Sequence, residues 1–341
     1  MYALILGFIT AFSLTYTIIP VIIRVVWERR LYDHPEGRPV GDVHPSFLGG
    51  IGIFAGALCA VVLWVPLDGF GVLQYILAAF VLVLLVGALD DVLPLSAFQK
   101  MLGQTLVAII LTYKAGIWVD SLHGLLGIYD IPEAVGFLLA VVLIILIVNA
   151  FNLIDGIDGL AGSLGLLASV LFGSWFYKTG NIALAVVAFS LSGAVVAFLK
   201  YNFTPAQIYM GDTGSLLTGT ICAILSFKLV ALNDEPGLPK SLVLQSAPAL
   251  VLAVMIVPLA DAFRVFVARM LRGQWPFTPD KTQVHHLLLR LGFSHLQSTA
   301  ILTLVTLVFI AATLAMDKLG TAILLPMQLT VALLLLKWLE R

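Results

Sequence analysis

The chain has 341 residues, 61% of them hydrophobic and 11% charged, and its mean hydropathy is +1.08. Soluble domains carry roughly 25% charged residues, so the medium around most of this chain is lipid. The net charge of -1 excludes a global attraction for nucleic acid, and any anion must be held by a local group of basic residues.

The first apolar run, 2–26, has no Lys or Arg before it and is longer than the core of about 7–15 residues in a signal peptide, so it is expected as a retained span. Further segments that meet the requirement of about 20 mainly apolar residues lie near 48–66, 71–89, 98–118, 134–152, 159–177, 181–199, 212–231, 245–270, 299–316 and 320–339. This predicts an all-α polytopic membrane protein of about 11 transmembrane helices, with 10 as the fallback, forming one integral membrane domain over 1–341. Residues 120–132, with Gly124 and Gly127, are too short to cross and are expected as a surface turn or hairpin. The two cysteines, Cys59 and Cys222, fall in apolar runs and are expected as small buried hydrophobes without redox or metal chemistry. By loop parity most Lys and Arg residues share one face, against Lys114, Lys178, Lys228, Lys240 and Lys318 on the other. The positive-inside rule makes the first face cytoplasmic, with the N-terminus outside and the C-terminus inside.

Polar residues collect on that cytoplasmic face, in loops near 27–47, 90–98, 152–159, 200–213 and 271–298. Carboxylates at a membrane edge are costly unless paired, protonated or bound to a cation, so their gathering there signals function. The first loop holds Arg38 and His44 in "RPVGDVHPSFLGG". In "VGALDDVLPLSAFQK", Asp90 and Asp91 end an apolar span and repel each other unless a cation or a proton intervenes, which suits a Mg2+ site or a general base. A solvated helix end is the alternative. In "NAFNLIDGIDGLAGS", Asn149, Asn152, Asp155 and Asp158 recur every third residue, which at helical spacing gathers them on roughly one face. The amides suit a uracil edge or a sugar, and the carboxylates a ribose, a metal or a basic partner; Asp158 alone also reads as a helix cap. "YMGDTGS" sets Asp212 and glycines at the start of a span, offering N–H groups to phosphate and a carboxylate to its metal. Thr213 or Ser215 acting only as a cap is the alternative, and no Walker loop is present. "PDKTQVHHLLLRLG" brings Asp280, Lys281, His285, His286 and Arg290 together. Without a His-Glu-x-x-His pattern this is no zinc site, and the imidazoles are expected to bond phosphate with a pH-sensitive charge near neutrality.

In this order and over 33–290, the motifs resemble those of the polyprenyl-phosphate N-acetylhexosamine-1-phosphate transferases. "HHLLLRLG" is more similar to the N-acetylglucosamine-1-phosphate branch, which primes teichoic acid, O-antigen or related cell-envelope glycans, than to the pentapeptide transferases of peptidoglycan synthesis. The latter show three consecutive His followed by Phe-Glu. Two departures stand out: Gln283 replaces a His expected two residues before the pair, and His44 directly precedes its Pro in a loop with few basic residues. The resemblance implies transfer of a sugar-1-phosphate, N-acetylglucosamine-1-phosphate, from a UDP-sugar to undecaprenyl or another polyprenyl phosphate, with release of UMP. It implies Mg2+ or Mn2+ as cofactor, a location in the plasma (inner) membrane, and is compatible with a homodimer. Carried over to this sequence, Asp90, Asp91, Asp155 and Asp158 are catalytic candidates and Asp90, Asp91 and Asp212 metal ligands. Asn149, Asn152, Lys100, Arg38, His44, Lys281, His285, His286 and Arg290 are substrate-binding candidates, with Lys100 and Arg38 toward the lipid phosphate. The lipid tail is expected in an apolar groove walled by 245–270, which Pro248 and Pro258 mark as a broken helix. A secondary transporter is the rival of another class, but it would hold its site near the midplane within repeats that this sequence does not display.

Overall fold

The computed structural model describes residues 1–29, 46–66, 70–271, 273 and 283–340. Among these residues the chain folds into helices with no strand: α1 (Tyr2–Arg29), α2 (Gly49–Trp64), α3 (Phe70–Val92), α4 (Ala97–Tyr113), α5 (Glu133–Ile154), α6 (Leu160–Lys178), α7 (Ile182–Asn202), α8 (Gly211–Asn233), α9 (Ala247–Val254), α10 (Ile256–Leu271), α11 (Val284–Arg290), α12 (His295–Ala315) and α13 (Thr321–Leu339). Each of the eleven expected apolar segments is helical. Among the described residues eight helices are long and apolar enough to cross a bilayer, or nine with the bent pair α9–α10 taken as one crossing. The helices α2 and α4, of 16 and 17 residues, account for the difference from eleven.

The bundle is built around α7 and α8, whose apolar windows are 78% buried, against 22% for α1 and α13 at the rim. Contacts reach α8 from α2, α3, α5, α6, α7 and α9. Small residues permit this, because association in lipid rests on close backbone packing. A Cβ on Gly50 would lie 2.1 Å from the Gly214 nitrogen, and one on Gly87 would lie 2.5 Å from the Thr213 Cα. The α9–α10 segment bends by 79°. The cause is Pro258, which has no N–H for the Val254 carbonyl and whose ring clashes with it.

Among the helix starts that lack a side-chain cap of their own, those of α8, α9 and α11 each take one from an aspartate elsewhere in the chain. Asp91 serves α8. Asp317 accepts from the Gln245 and Ser246 N–H groups at 3.0 Å each and from Ser246 Oγ at 2.6 Å, and the buried Asp261 accepts from the Val284 N–H at 3.0 Å. Such bonds satisfy donors that have no partner inside the helix and set negative charge against its positive end. Conversely, Lys228 donates to the Ala115 and Gly116 carbonyls just past the end of α4. Residues 120–132 close the expected hairpin, with Leu122 N–H donating to the Tyr129 carbonyl at 2.8 Å and a bridge from Ser121 to Asp130. Cys222 is buried as expected, whereas Cys59 is exposed on the outer surface of α2, because an apolar run in a membrane helix also supplies the side that meets lipid.

Candidate active site

Four helix ends meet at one point. The α3 helix stops just before Pro94, and the Leu95 N–H turns back to donate to Asp90 Oδ1 at 2.7 Å. A capping box between Ser96 and Gln99 then starts α4 and sets Lys100 in its first turn. The Lys100 ammonium pairs with Asp90 Oδ2 at 3.1 Å, donates to Asn152 Oδ1 at 3.2 Å and also contacts Asp212. Asn152, near the end of α5, donates in turn to Asp212 Oδ1 at 2.6 Å and to Ser215 Oγ at 3.0 Å. Asp90, Lys100, Asn152 and Asp212 therefore form one connected cluster, with Asp212 at the start of the central helix.

Asp91 points elsewhere, since successive helical residues diverge by about 100°. Its two oxygens accept from the Asp212 N–H at 2.7 Å, the Thr213 N–H at 3.0 Å and the Thr213 hydroxyl at 2.6 Å. Asp155 lies at the end of α5 and faces the Gly211 amide. This corrects the expectation that the α8 N-terminus offers free N–H groups to phosphate, because carboxylates of the same chain already face them. Gly211 leaves no room for a side chain there: with φ +68°, its Cβ would lie 2.0 Å from the Phe47 carbonyl oxygen and 2.8 Å from Asp91 Oδ1. The chain entering α2 is bonded alongside, Gly49 and Gly50 N–H donating to the Tyr209 and Met210 carbonyls at 3.0 and 2.9 Å.

The expected single face from Asn149 to Asp158 is not formed, because α5 ends at Ile154 and a turn closed by Gly159 at φ +79° follows. Asn149 is buried in an amide pair with Gln104, donating to its Oε1 at 2.5 Å and accepting from its Nε2 at 3.3 Å. Asp155 stays in the neighbourhood of the cluster: burial first, then the charges of Asp212 and Asp91, raise its carboxyl well above the usual carboxylate range, against the Gly211 amide. It therefore favours its protonated form at pH values where a solvated Asp is ionised. Asp158 lies away from the cluster as a structural tie, accepting from the Thr204 hydroxyl at 2.9 Å, pairing with His295 at 3.3 Å and bonding Thr299 through its carbonyl at 2.9 Å.

On α11, His285 is 1% exposed, and its ring lies against Gly156, where a Cβ would come 2.2 Å from Nε2. Burial, followed by His286 and His295, pushes its imidazole down to about 3, so the expected charge near neutrality does not apply to it: a ring buried among other imidazoles stays neutral. His286 is half-buried with its ring centroid 4.3 Å from that of His285, and Arg290 is exposed at the end of the helix. Gln283 sits at the N-cap of α11. Arg38, His44 and Lys281, with much of the loops at 27–47 and 271–298, lie outside the described residues.

Gln104, Thr204, Asp261 and His295 enter the site or its supports without having been expected. Ser294 and Gln297 form a second capping box at the start of α12, a spacing legible in sequence that would have placed His295 at a helix start. Among the described residues no three acidic, His or Cys side chains gather as a ready-made metal centre. The donors that meet around the Lys100 cation are instead the oxygens of Asp90, Asp212 and Asn152, a hard set of the kind that binds Mg2+ through one or two carboxylates and substrate phosphate. Lys100 is a stand-in cation showing that these oxygens fit positive charge.

The sequence pattern of glycosyl transferase family 4 matches residues 73–230, a span that holds every member of the cluster. The chain is 30% identical over 311 residues to a probable undecaprenyl-phosphate N-acetylglucosaminyl 1-phosphate transferase of Bacillus subtilis, covering 91% of this chain and 84% of that protein. It is 32% identical over 282 residues to a decaprenyl-phosphate N-acetylglucosaminephosphotransferase of Mycobacterium tuberculosis, covering 77% and 70%. Over 287 residues it is also 32% identical to an undecaprenyl-phosphate alpha-N-acetylglucosaminyl 1-phosphate transferase of Haemophilus influenzae, covering 82% and 77%.

Proposed function

Since the chain belongs to glycosyl transferase family 4, in its polyprenyl-phosphate N-acetylglucosamine-1-phosphate transferase branch, we propose that it transfers N-acetylglucosamine-1-phosphate from UDP-N-acetylglucosamine to a polyprenyl phosphate such as undecaprenyl phosphate, releasing UMP. The observation that carries this reading is the meeting of Asp90, Lys100, Asn152 and Asp212, a compact charged cluster at the end of an apolar bundle.

An oxygen of the lipid phosphate attacks the sugar-bearing phosphorus of the donor. The bond from that phosphorus to the bridging oxygen breaks, and the bridging oxygen leaves on UMP. One phosphoanhydride is exchanged for another, so no other energy source enters. A phosphate monoester loses its second proton near pH 6, so the attacking oxygen is largely ionised at neutral pH without a separate base. Lys100 orients the phosphates, with Asp155 standing close to the same carboxylates. Asp212 and Asp90, with the amide oxygen of Asn152, would hold Mg2+, which when bound offsets charge on the pyrophosphate. Asp91 stays outside that donor set because both its oxygens are already engaged by α8.

A cavity of about 370 Å³ lies between α5, α8, the bent α9–α10 and the 118–125 segment, lined by Leu143, Ile147, Phe227, Val251, Leu252 and Asp234; it sits toward the end of the bundle away from the carboxylate cluster, where only the far part of a long polyprenyl tail would reach it. Eleven crossings with the site facing the cytoplasm follow from the Lys and Arg distribution, α2 and α4 completing the count as short spans. The test uses purified protein in detergent with undecaprenyl phosphate, Mg2+ and either UDP-N-acetylglucosamine or UDP-muramoyl-pentapeptide, and reads UMP with and without EDTA. EDTA-sensitive UMP from the first donor is expected. UMP from the second alone would move the chain to the pentapeptide branch, and none from either would return the transporter reading.

A further inference from the structure

Lys100 stands where its own helix disfavours it. It lies in the first turn of α4, at the positive end of the helix dipole, where a cation is destabilising. What holds it is the surrounding oxygens: Asp90 Oδ2 at 3.1 Å, Asn152 Oδ1 at 3.2 Å and the Asp212 carboxylate, with the side chain 17% exposed. The two carboxylates are anchored independently of Lys100 through their other oxygens, Asp90 Oδ1 by the Leu95 N–H at 2.7 Å and Asp212 Oδ1 by Asn152 Nδ2 at 2.6 Å. The ring of acceptors is thus preformed, and the ammonium reaches it on a flexible four-carbon stem.

We infer that Lys100 is an internal counter-ion that exchanges with the divalent metal: it neutralises Asp90 and Asp212 in the metal-free protein and is released toward the substrate phosphates when the metal takes those oxygens. The inference rests on the metal reading above and deepens it. Two cations competing for the same carboxylate oxygens repel each other, so the ammonium leaves as the metal enters. Its next partners are the donor and lipid phosphates, whose negative charge replaces the carboxylates as its counter-ion. The exchange therefore orders the site, with the metal entering first and Lys100 turning to the phosphates afterwards.

Wild-type protein, without substrate, is labelled with an amine-reactive ester with and without Mg2+, and labelling at Lys100 is read by mass spectrometry against the exposed Lys114. A several-fold rise at Lys100 with Mg2+, with Lys114 unchanged, is expected. Mn2+ binding is read in parallel by electron paramagnetic resonance, and in Lys100→Met it should tighten about tenfold, the scale of one lost charge-assisted bond. A merely electrostatic influence of Lys100 on the metal would tighten Mn2+ binding in the variant but would leave wild-type labelling unmoved. Labelling that stays level or falls with Mg2+, while Mn2+ binds, overturns the exchange and leaves the metal reading standing. No Mn2+ binding in either protein overturns both.

Discussion

Replacing Asp91 by Ala separates a cap from a catalyst. The change removes the acceptor for two backbone N–H groups and one hydroxyl at the start of α8, where Gly50 and Gly87 pack α2 and α3 so closely that little water can enter. Each buried donor left without a partner costs about 1–3 kcal/mol, and loss of a helix cap about 0.5–2 kcal/mol. These overlap, giving about 3–5 kcal/mol for the variant. A displacement of Asp212 by about 1 Å would lower turnover by about a hundredfold. Thermal unfolding in detergent, with neither metal nor substrate, is compared with that of Asp90→Ala, which removes one backbone bond and one ion pair. Asp91→Ala should melt several degrees lower than Asp90→Ala, and Asp91→Asn, which keeps one acceptor oxygen, should lie between it and wild type. If Asp91→Ala melts with wild type while UMP release vanishes, the carboxylate acts on substrate or metal and the cap assignment is wrong.

The remaining expectations concern the histidine helix and its contacts. Gly156→Ala would set a methyl group 2.2 Å from His285 Nε2 and force α11 away from the α5–α6 turn, so UMP release should fall at least about tenfold; unchanged turnover would show that α11 need not sit there. Because His285 is depressed from 6.5 to about 3, the unfolded chain binds the extra proton between those values. Its contribution to stability is present above about 6.5 and is lost as pH falls toward 3, at about 1.4 kcal/mol per pH unit. His285→Phe should show a shallower acid decline in melting temperature over that window, and parallel curves would contradict the burial argument. Asp261→Asn weakens the bond to the Val284 N–H and the pairing of Asp261 with Arg264 at 2.7 Å. Hydrogen exchange at Val284 should speed up and KM for the UDP-sugar should rise more than kcat falls; unaltered exchange would remove Asp261 as the support of α11.

The helices were legible because lipid demands long apolar runs, and every such run became a helix. The places where sequence misled have local causes. The spacing from Asn149 to Asp158 looks helical on paper, but Gly156 and Gly159 end the helix and send Asp158 to Thr204 and His295 instead. Asp90 and Asp91 look like one motif, yet neighbouring helical residues point apart, and only Asp90 reaches Lys100. The pairings of Asn149 with Gln104 and of Asp261 with Val284 join positions 45 and 23 residues apart, and no periodicity announces them. Asp212 and Asn152 stood out because a polar residue at a membrane edge is expensive wherever it stands, whereas Lys100 was carried over from the family resemblance.

The borrowed caps also set an order of assembly. When α8 emerges during synthesis, Asp91 has already been made 121 residues earlier, so the central helix can complete its first turn against α3 at once. The α9 helix has no such advantage: Asp317, which closes its start, follows 71 residues later, after α12. Until that stretch is inserted, the first donors of α9 have only water or headgroups to bond. The half of the bundle that holds the bent segment therefore reaches its final shape last, and a chain stopped before Asp317 would carry a finished carboxylate cluster beside an unfinished lipid wall.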